Sequence, residues 1–267
     1  MELFYGFLFF IFGLMIGSFL NVCAYRVPRN ESIAYPPSHC PSCGSDVRVV
    51  DNIPVLSYVL LGGRCRICKE RISPKYPVIE LITGVLWVAS YYRFGLSLEV
   101  VYALFFNTVL ILLAAIDFDT KIIPNKILLP ALGLSMLSLL MHFASLTTLP
   151  IIAGFDAMGA ITGFLAGGGF LYAVAMLGPL VFKKEAMGGG DVKLAAFMGL
   201  YLGGYVMLAL FIGFFLGAVV GIVLISRNRQ NGQAMIPFGP FLAAGSIITL
   251  FFGPQMWYAY LSFSGLL

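Results

Sequence analysis

Charged side chains are scarce in this chain: they make up 10% of its 267 residues, whereas hydrophobic residues make up 60%. A water-soluble domain of this length could not cover its surface with so few polar groups, so the composition excludes that class. The basic residues are spread over the ends of predicted loops, not gathered on one face, which argues against a nucleic-acid-binding protein. The sequence therefore predicts an all-α membrane protein that crosses the bilayer several times.

The sequence also lacks the features of a cleaved signal peptide. The first apolar segment, residues 3–25, follows the acidic Glu2, has no basic n-region and has no small-residue cleavage site before Arg26. We therefore expect it to remain as the first transmembrane helix. The chain contains no G-x-G-x-x-G fingerprint of a dinucleotide-binding fold, and its halves show no internal repeat of the kind that favours a transporter.

Long apolar segments predict about eight transmembrane helices when ~20 mainly apolar residues are taken as one span. Only the pair Gly203-Gly204 separates the sixth of these segments from the seventh. The predicted helices lie near residues 3–25, 77–94, 98–117, 124–145, 150–182, 192–204, 205–225 and 237–265.

The basic residues predict the orientation of the chain. The loop formed by residues 26–76, together with later turns on the same side, contains nearly all of them, and only Arg93 falls opposite. Loops rich in Lys and Arg stay in the cytoplasm. The loop and the predicted helix ends beside it are therefore expected to be cytoplasmic, with both chain termini outside.

Four cysteines in the loop of residues 26–76 form two C-x-x-C pairs, Cys40 with Cys43 and Cys65 with Cys68. A loop of this length cannot build a core of its own, and four thiolates around one tetrahedral zinc ion would stabilise it. Two disulfides are the alternative, but they need an oxidising compartment. The predicted cytoplasmic position favours zinc, and hence a small zinc-binding domain with four cysteine ligands.

Two aspartates, Asp117 and Asp191, lie at the predicted ends of separate membrane helices. An ionisable group at such a position is expected first to be functional. Gly188 and Gly190, just before Asp191, let the backbone bend and approach closely, which leaves room for an extended substrate segment. Two carboxylates about 3 Å apart share a proton, so that one acts as base and the other as acid, as in aspartic proteases. An acid pair in an ion or proton path fits the same residues equally well.

A set of ordered motifs resembles the bacterial type IV prepilin leader peptidases. The resemblance covers nearly the whole chain, and the set is specific because all of its members occur in the family's order. The motifs are the double C-x-x-C and the segments at residues 17–22, 73–81, 116–117, 123–125, 188–193 and 237–241.

This resemblance implies an intramembrane aspartic peptidase of the G-x-G-D kind in the bacterial inner membrane. Its implied substrates are type IV prepilins and type II secretion pseudopilins, which approach through the membrane lipid and lose a short basic leader after a glycine at the cytoplasmic face. Asp117 and Asp191 match the family's catalytic positions, whereas Asp119 and Asp156 match none. No nucleic-acid partner is implied.

The resembling family often also methylates the new N-terminal amine with S-adenosylmethionine, a step associated with the cysteine domain. Gly63 and Glu80 correspond to family positions linked to methyl transfer. The expected division is a first transmembrane helix at 1–25, a cysteine domain at 26–76 and a transmembrane peptidase domain at 77–267. A peptidase with a purely structural zinc module and a proton-coupled transporter or channel remain the alternatives.

Overall fold

The computed structural model describes residues 1–144, 157–182, 187–227 and 237–265. These residues form nine α-helices and no β-strand, which confirms the predicted all-α fold. Asp156 and the predicted helix start at residue 150 lie outside the described residues. The helices are α1 (Glu2–Arg26), α2 (Leu56–Leu60), α3 (Lys75–Phe94), α4 (Leu98–Thr120), α5 (Asn125–Phe143), α6 (Ala157–Phe182), α7 (Gly189–Leu202), α8 (Val206–Arg227) and α9 (Gly239–Phe263).

Five candidate membrane spans, not about eight, are long and apolar enough to cross a bilayer in the described part of the chain. They are α1, α4, α5, α6 and the continuous stretch from α7 through α8. The predicted separator Gly203 does end α7, with φ 54°, but α7 has only 14 residues, or about 21 Å. The helices α3 and α9 are not among these candidate spans. Charged residues and tyrosines make α3 less apolar, and glycines, prolines and tyrosines do the same for α9.

The chain divides into two compact units, Met1–Ala115 and Ile116–Leu267. In the first unit α1 packs along α3. Two glycines make this approach close, because a Cβ on Gly13 would lie 2.8 Å from Cα of Gly84 and one on Gly17 would lie 2.7 Å from Cα of Glu80. Small residues at a helix contact are the usual way for membrane helices to pack tightly.

In the second unit α7 is the central helix. It packs along α6, where Gly163 and Gly199 bring the two backbones into contact, and it also contacts α5 and α9. Its middle residues are buried, with Leu194 and Phe197 fully so. The short helix that begins beside Asp191 is therefore held by neighbours on several sides.

Candidate active site and metal centre

Asp117 lies buried in the last turn of α4, with 5% of its surface exposed. Its Oδ2 accepts a 2.8 Å hydrogen bond from the backbone N–H of Gly239 at the start of α9. The helix continues to Thr120, beyond the predicted end at residue 117, and stops where Lys121 adopts a left-handed φ of 56°. The first N–H groups of a helix have no partner within it, so Gly239 is free to bind the carboxylate.

Asp191 lies in the first turn of α7, because this helix begins at Gly189 and not at residue 192 as predicted. Its backbone N–H donates to the carbonyl of Gly188 at 3.1 Å, and its carboxylate interacts electrostatically with that of Asp117. An acid in the first turn of a helix is stabilised by the unpaired N–H groups there. Asp117 and Asp191 thus both lie in the second unit, close enough for their charges to interact, whereas Asp119 is exposed.

The two predicted supporting glycines have different surroundings. A Cβ at Gly190 would lie 2.9 Å from Cβ of Ile123, closer than real Cβ contacts. A Cβ at Gly188 would lie 3.5 Å from Oδ2 of Asp191, an ordinary contact distance. Only Gly190 is therefore required by packing, because it lets the turn that carries Asp191 approach the connection between α4 and α5.

Three residues near the acids were not singled out from the sequence as functional. Gly239, in the motif at residues 237–241, supplies the N–H that binds Asp117. Lys193 donates from Nζ to Oδ1 of Asn125 at 2.9 Å, and so links the start of α7 to the start of α5. Asn125 belongs to the motif at residues 123–125 and Lys193 to the motif at residues 188–193, but a motif alone does not show which residues contact each other.

The four loop cysteines form one cluster in the first unit. Their sulfur atoms all lie within 4.8 Å of one another, and Cys40 Sγ and Cys68 Sγ are 3.7 Å apart. A tetrahedral zinc site with Zn–S bonds of about 2.3 Å places its sulfurs about 3.8 Å apart. All the cysteines are free thiols, so the disulfide alternative does not describe this structure. The cluster can hold a metal ion, as the spacing predicts.

The two C-x-x-C pairs lie on equivalent turns. The backbone N–H groups of Gly44 and Lys69, each directly after the second cysteine, donate to the carbonyls of Cys40 and Cys65. Gly44 has φ 70° and Lys69 has φ 61°. In each turn one residue with a left-handed backbone conformation reverses the chain direction, and both thiols of the pair lie on the same side of the turn.

The surroundings of the cluster shift the pKa values of its thiols in opposite directions. The Ser45 hydroxyl, 2.8 Å from the sulfur, lowers the pKa of Cys43 to about 6. For Cys68, a backbone hydrogen bond at Glu70 lowers the pKa, but desolvation and the neighbouring thiols outweigh it and raise the pKa to about 12. Four thiolates this close repel one another, and a divalent cation offsets that repulsion.

The methyl-transfer candidates Gly63 and Glu80 both contact the region of α2. Glu80 is buried, and its Oε2 accepts a 2.7 Å hydrogen bond from the N–H of Val55, the residue before α2. Gly63 donates its N–H to the carbonyl of Tyr58 in α2 at 2.8 Å. Glu80 and Gly63 therefore hydrogen-bond to the start and to the middle of the same short helix, which lies beside the cysteine cluster.

Comparison with known families gives two matches along the chain. Residues 11–94 match the bacterial peptidase A24 N-terminal domain. Residues 104–222 match the type IV leader peptidase family. No solved structure shows a significant match to this chain.

Curated relatives named prepilin leader peptidase/N-methyltransferase align with most of the chain. One from Burkholderia pseudomallei (strain 1026b) is 36% identical, over 91% of this chain and 84% of the relative. One from Pseudomonas aeruginosa is 34% identical, over 96% and 93%. One from Bacillus subtilis (strain 168) is 35% identical, over 92% and 94%. The chain therefore belongs to the type IV leader peptidase family, and the resemblance read from its motifs is confirmed.

Proposed function

We propose that Asp117 and Asp191 are the catalytic pair of a peptidase that removes the leader from type IV prepilins and type II secretion pseudopilins. The observation that carries the proposal is that both carboxylates lie at helix N-termini of the second unit, Asp191 in the first turn of α7 and Asp117 hydrogen-bonded to the N–H of Gly239 at the start of α9. Family membership supports the choice of substrate class.

The acid pair supplies the groups that peptide hydrolysis needs. Two close carboxylates hold one proton between them, so the ionised one takes a proton from the attacking water while the other protonates the carbonyl oxygen. The tetrahedral intermediate then collapses as the C–N bond breaks: the leaving amine takes the proton that the first carboxylate removed from water, and a hydroxyl of the intermediate returns a proton to the second. Oδ2 of Asp117 accepts the N–H of Gly239, whereas Oδ1 makes no hydrogen bond within the described residues and has both of its lone pairs available for this chemistry.

Asparagine substitutions test the assignment. Asp117→Asn and Asp191→Asn should each lower cleavage of a purified prepilin by at least about 100-fold, the contribution typical of a general acid or base. Asp119→Asn, on the exposed side of the same helix, is the matched control and should cleave at the wild-type rate. Gel shift and mass of the product report cleavage, and the membrane fraction reports insertion. Wild-type cleavage by Asp191→Asn would refute the pair.

We further propose that the cysteine cluster binds Zn²⁺ and that the chain methylates the new N-terminus with S-adenosylmethionine. The sulfur distances support zinc, and the names of the relatives support methylation. In this proposal residues 26–76 serve methyl transfer, residues 77–267 serve cleavage, and 1–25 is the first transmembrane helix. Intact mass of processed pilin tests it, since a purely structural zinc module would leave the cut pilin unmethylated.

The proposed location is the bacterial inner membrane, with the cysteine cluster and the acid pair on the cytoplasmic side and both termini outside. The bias of Lys and Arg toward one side supports this orientation. Two termini on the same side require an even number of crossings. In this proposal α3, α7, α8 and α9 each cross the membrane in addition to α1, α4, α5 and α6, which gives eight crossings. Reporter fusions at the two termini test it, because a cytoplasmic signal at either terminus would exclude the arrangement.

A further inference from the structure

A cavity of about 450 Å³ lies in the first unit beneath the cysteine cluster. Its walls come from the end of α1, the start of α3, the short helix α2 and the two cysteine turns. The volume falls within the roughly 300–1,000 Å³ typical of sites for small organic molecules. Its lining includes Arg26, Asp46, Ser57, Tyr58, Glu70 and Glu80.

Two buried charged side chains, Arg26 and Glu80, line this cavity without forming an ion pair with each other. Arg26 is 7% exposed and donates to the carbonyls of Ser32 at 2.9 Å and Pro37 at 3.3 Å. Glu80 is 8% exposed and accepts the N–H of Val55. Burying a charge is costly unless hydrogen bonds compensate it. These two charges therefore anchor loop backbone to α1 and α3, and this fixes the walls of the cavity.

The helix α2 forms one wall and is positioned from both of its ends. At its start, Glu80 holds Val55, which has φ 61°, an unfavourable backbone conformation for a β-branched residue. After its end, Gly63 has φ 67°, and a Cβ there would lie 3.0 Å from Cζ and Oη of Tyr58. Gly63 thus leaves room for the Tyr58 ring at the cavity wall. Gly63 and Glu80 act as positioning residues for this wall.

The lining has the chemistry that an adenosyl amino acid requires. Tyr58 lines the cavity, and an aromatic ring is a suitable contact for a purine or a sulfonium cation. Asp46 and Glu70 are acids whose side chains make no hydrogen bond within the described residues, and they suit ribose hydroxyls or an ammonium group. Asp51 is already paired with Arg66 through hydrogen bonds of 2.6 to 3.1 Å. The cavity lining therefore combines an aromatic side chain with acceptors that make no hydrogen bond within the described residues.

We propose that this cavity is the binding site of the methyl donor, a nucleoside sulfonium such as S-adenosylmethionine, with α2 as its positioned wall. The proposal rests on the methyltransferase activity proposed above. In the transfer the lone pair of the pilin amine forms the new N–C bond, and the S–C bond breaks to leave the thioether S-adenosylhomocysteine. The amine gives up one proton to water.

Equilibrium dialysis of tritiated S-adenosylmethionine against the full-length chain in detergent, without pilin, measures the site directly. Ser57→Trp fills the cavity from α2 and should weaken binding at least tenfold. Leu60→Trp is the matched control, since Leu60 lies on the same helix, is 76% exposed and does not line the cavity. It should bind within about twofold of wild type. Both variants should keep wild-type cleavage and metal content, which reports folding.

Equal donor affinity in Ser57→Trp and Leu60→Trp would overturn the cavity as the site, while methylated pilin from the wild-type chain would still uphold the proposed function. A wild-type chain that neither binds the donor nor methylates pilin would overturn both. Photolabelling with an azido derivative of the donor gives a second measurement that needs no variant. Labelled peptides should map within residues 18–80, and label confined to residues beyond 98 would also refute the site.

Discussion

The backbone N–H of Gly239 donates a 2.8 Å hydrogen bond to Oδ2 of Asp117, which lies 122 residues earlier in the chain. Gly239 begins α9, so Asp117 accepts one of the N–H groups that a helix leaves unpaired at its start. The next residue, Pro240, has no N–H of its own. The contact gives the proposed acid pair a built-in asymmetry, because one carboxylate is fixed by a helix end.

A methyl group at Gly239 should disturb this contact. In Gly239→Ala the new Cβ would lie 2.8 Å from Oδ2 of Asp117, and overpacking of this kind typically costs about 1–3 kcal/mol. Prepilin cleavage by the purified variant should fall at least about tenfold, since the carboxylate must move. Gly133→Ala in α5, where nothing lies within 4 Å, is the control and should cleave normally. Equal rates in the two variants would contradict the positioning role.

Alanine substitutions at Gly190 and Gly189, just before Asp191, should also differ in their effect on cleavage. Gly190→Ala places a Cβ 2.9 Å from Cβ of Ile123, whereas the neighbouring Gly189→Ala meets nothing within 4 Å. Cleavage assays should therefore show a clear loss for Gly190→Ala and near wild-type activity for Gly189→Ala. Loss in both variants would mean that backbone freedom, and not close packing, is what this segment needs.

The metal content should depend on the clustered cysteines only. Elemental analysis of the purified chain should find about one zinc per molecule, the content of a single four-thiolate site. Cys43→Ser removes one ligand of the cluster and should lower that content, whereas Cys23→Ser, in the buried part of α1, should leave it unchanged. Metal-free wild-type protein, purified without chelator, would contradict the zinc proposal.

Alanine substitutions at the adjacent Gly62 and Gly63 should distinguish the effect of backbone strain from that of a side-chain contact in the cysteine loop. Gly62 has φ 62° and Gly63 has φ 67°, so alanine at either position carries a similar backbone cost of about 1–2 kcal/mol. Only the Cβ of Gly63→Ala meets the Tyr58 ring. Donor binding and pilin methylation should therefore fall in Gly63→Ala and persist in Gly62→Ala, with cleavage intact in both. A similar loss of methylation in both would assign the effect to the turn itself.

The sequence by itself determined the fold class, the metal-binding cluster and the family. A chain with 60% hydrophobic and 10% charged residues has too little polar surface for a soluble domain. The repeated C-x-x-C spacing is local, because each pair needs only one turn to present two thiols. The ordered motifs sufficed to recognise the family, and the comparisons confirmed it.

The tertiary structure decided how the local signals combine. Residues 189–226 form one long apolar stretch that Gly203 divides into two helices. The helices α3 and α9 are less apolar than the five candidate spans. The pairing of Gly239 with Asp117 and the convergence of Gly63 and Glu80 near α2 join residues far apart in sequence. Hydrophobic periodicity and turn chemistry act over a few residues, whereas such contacts arise only when helices pack. For that reason the sequence pointed to the acids but not to the backbone group that holds one of them.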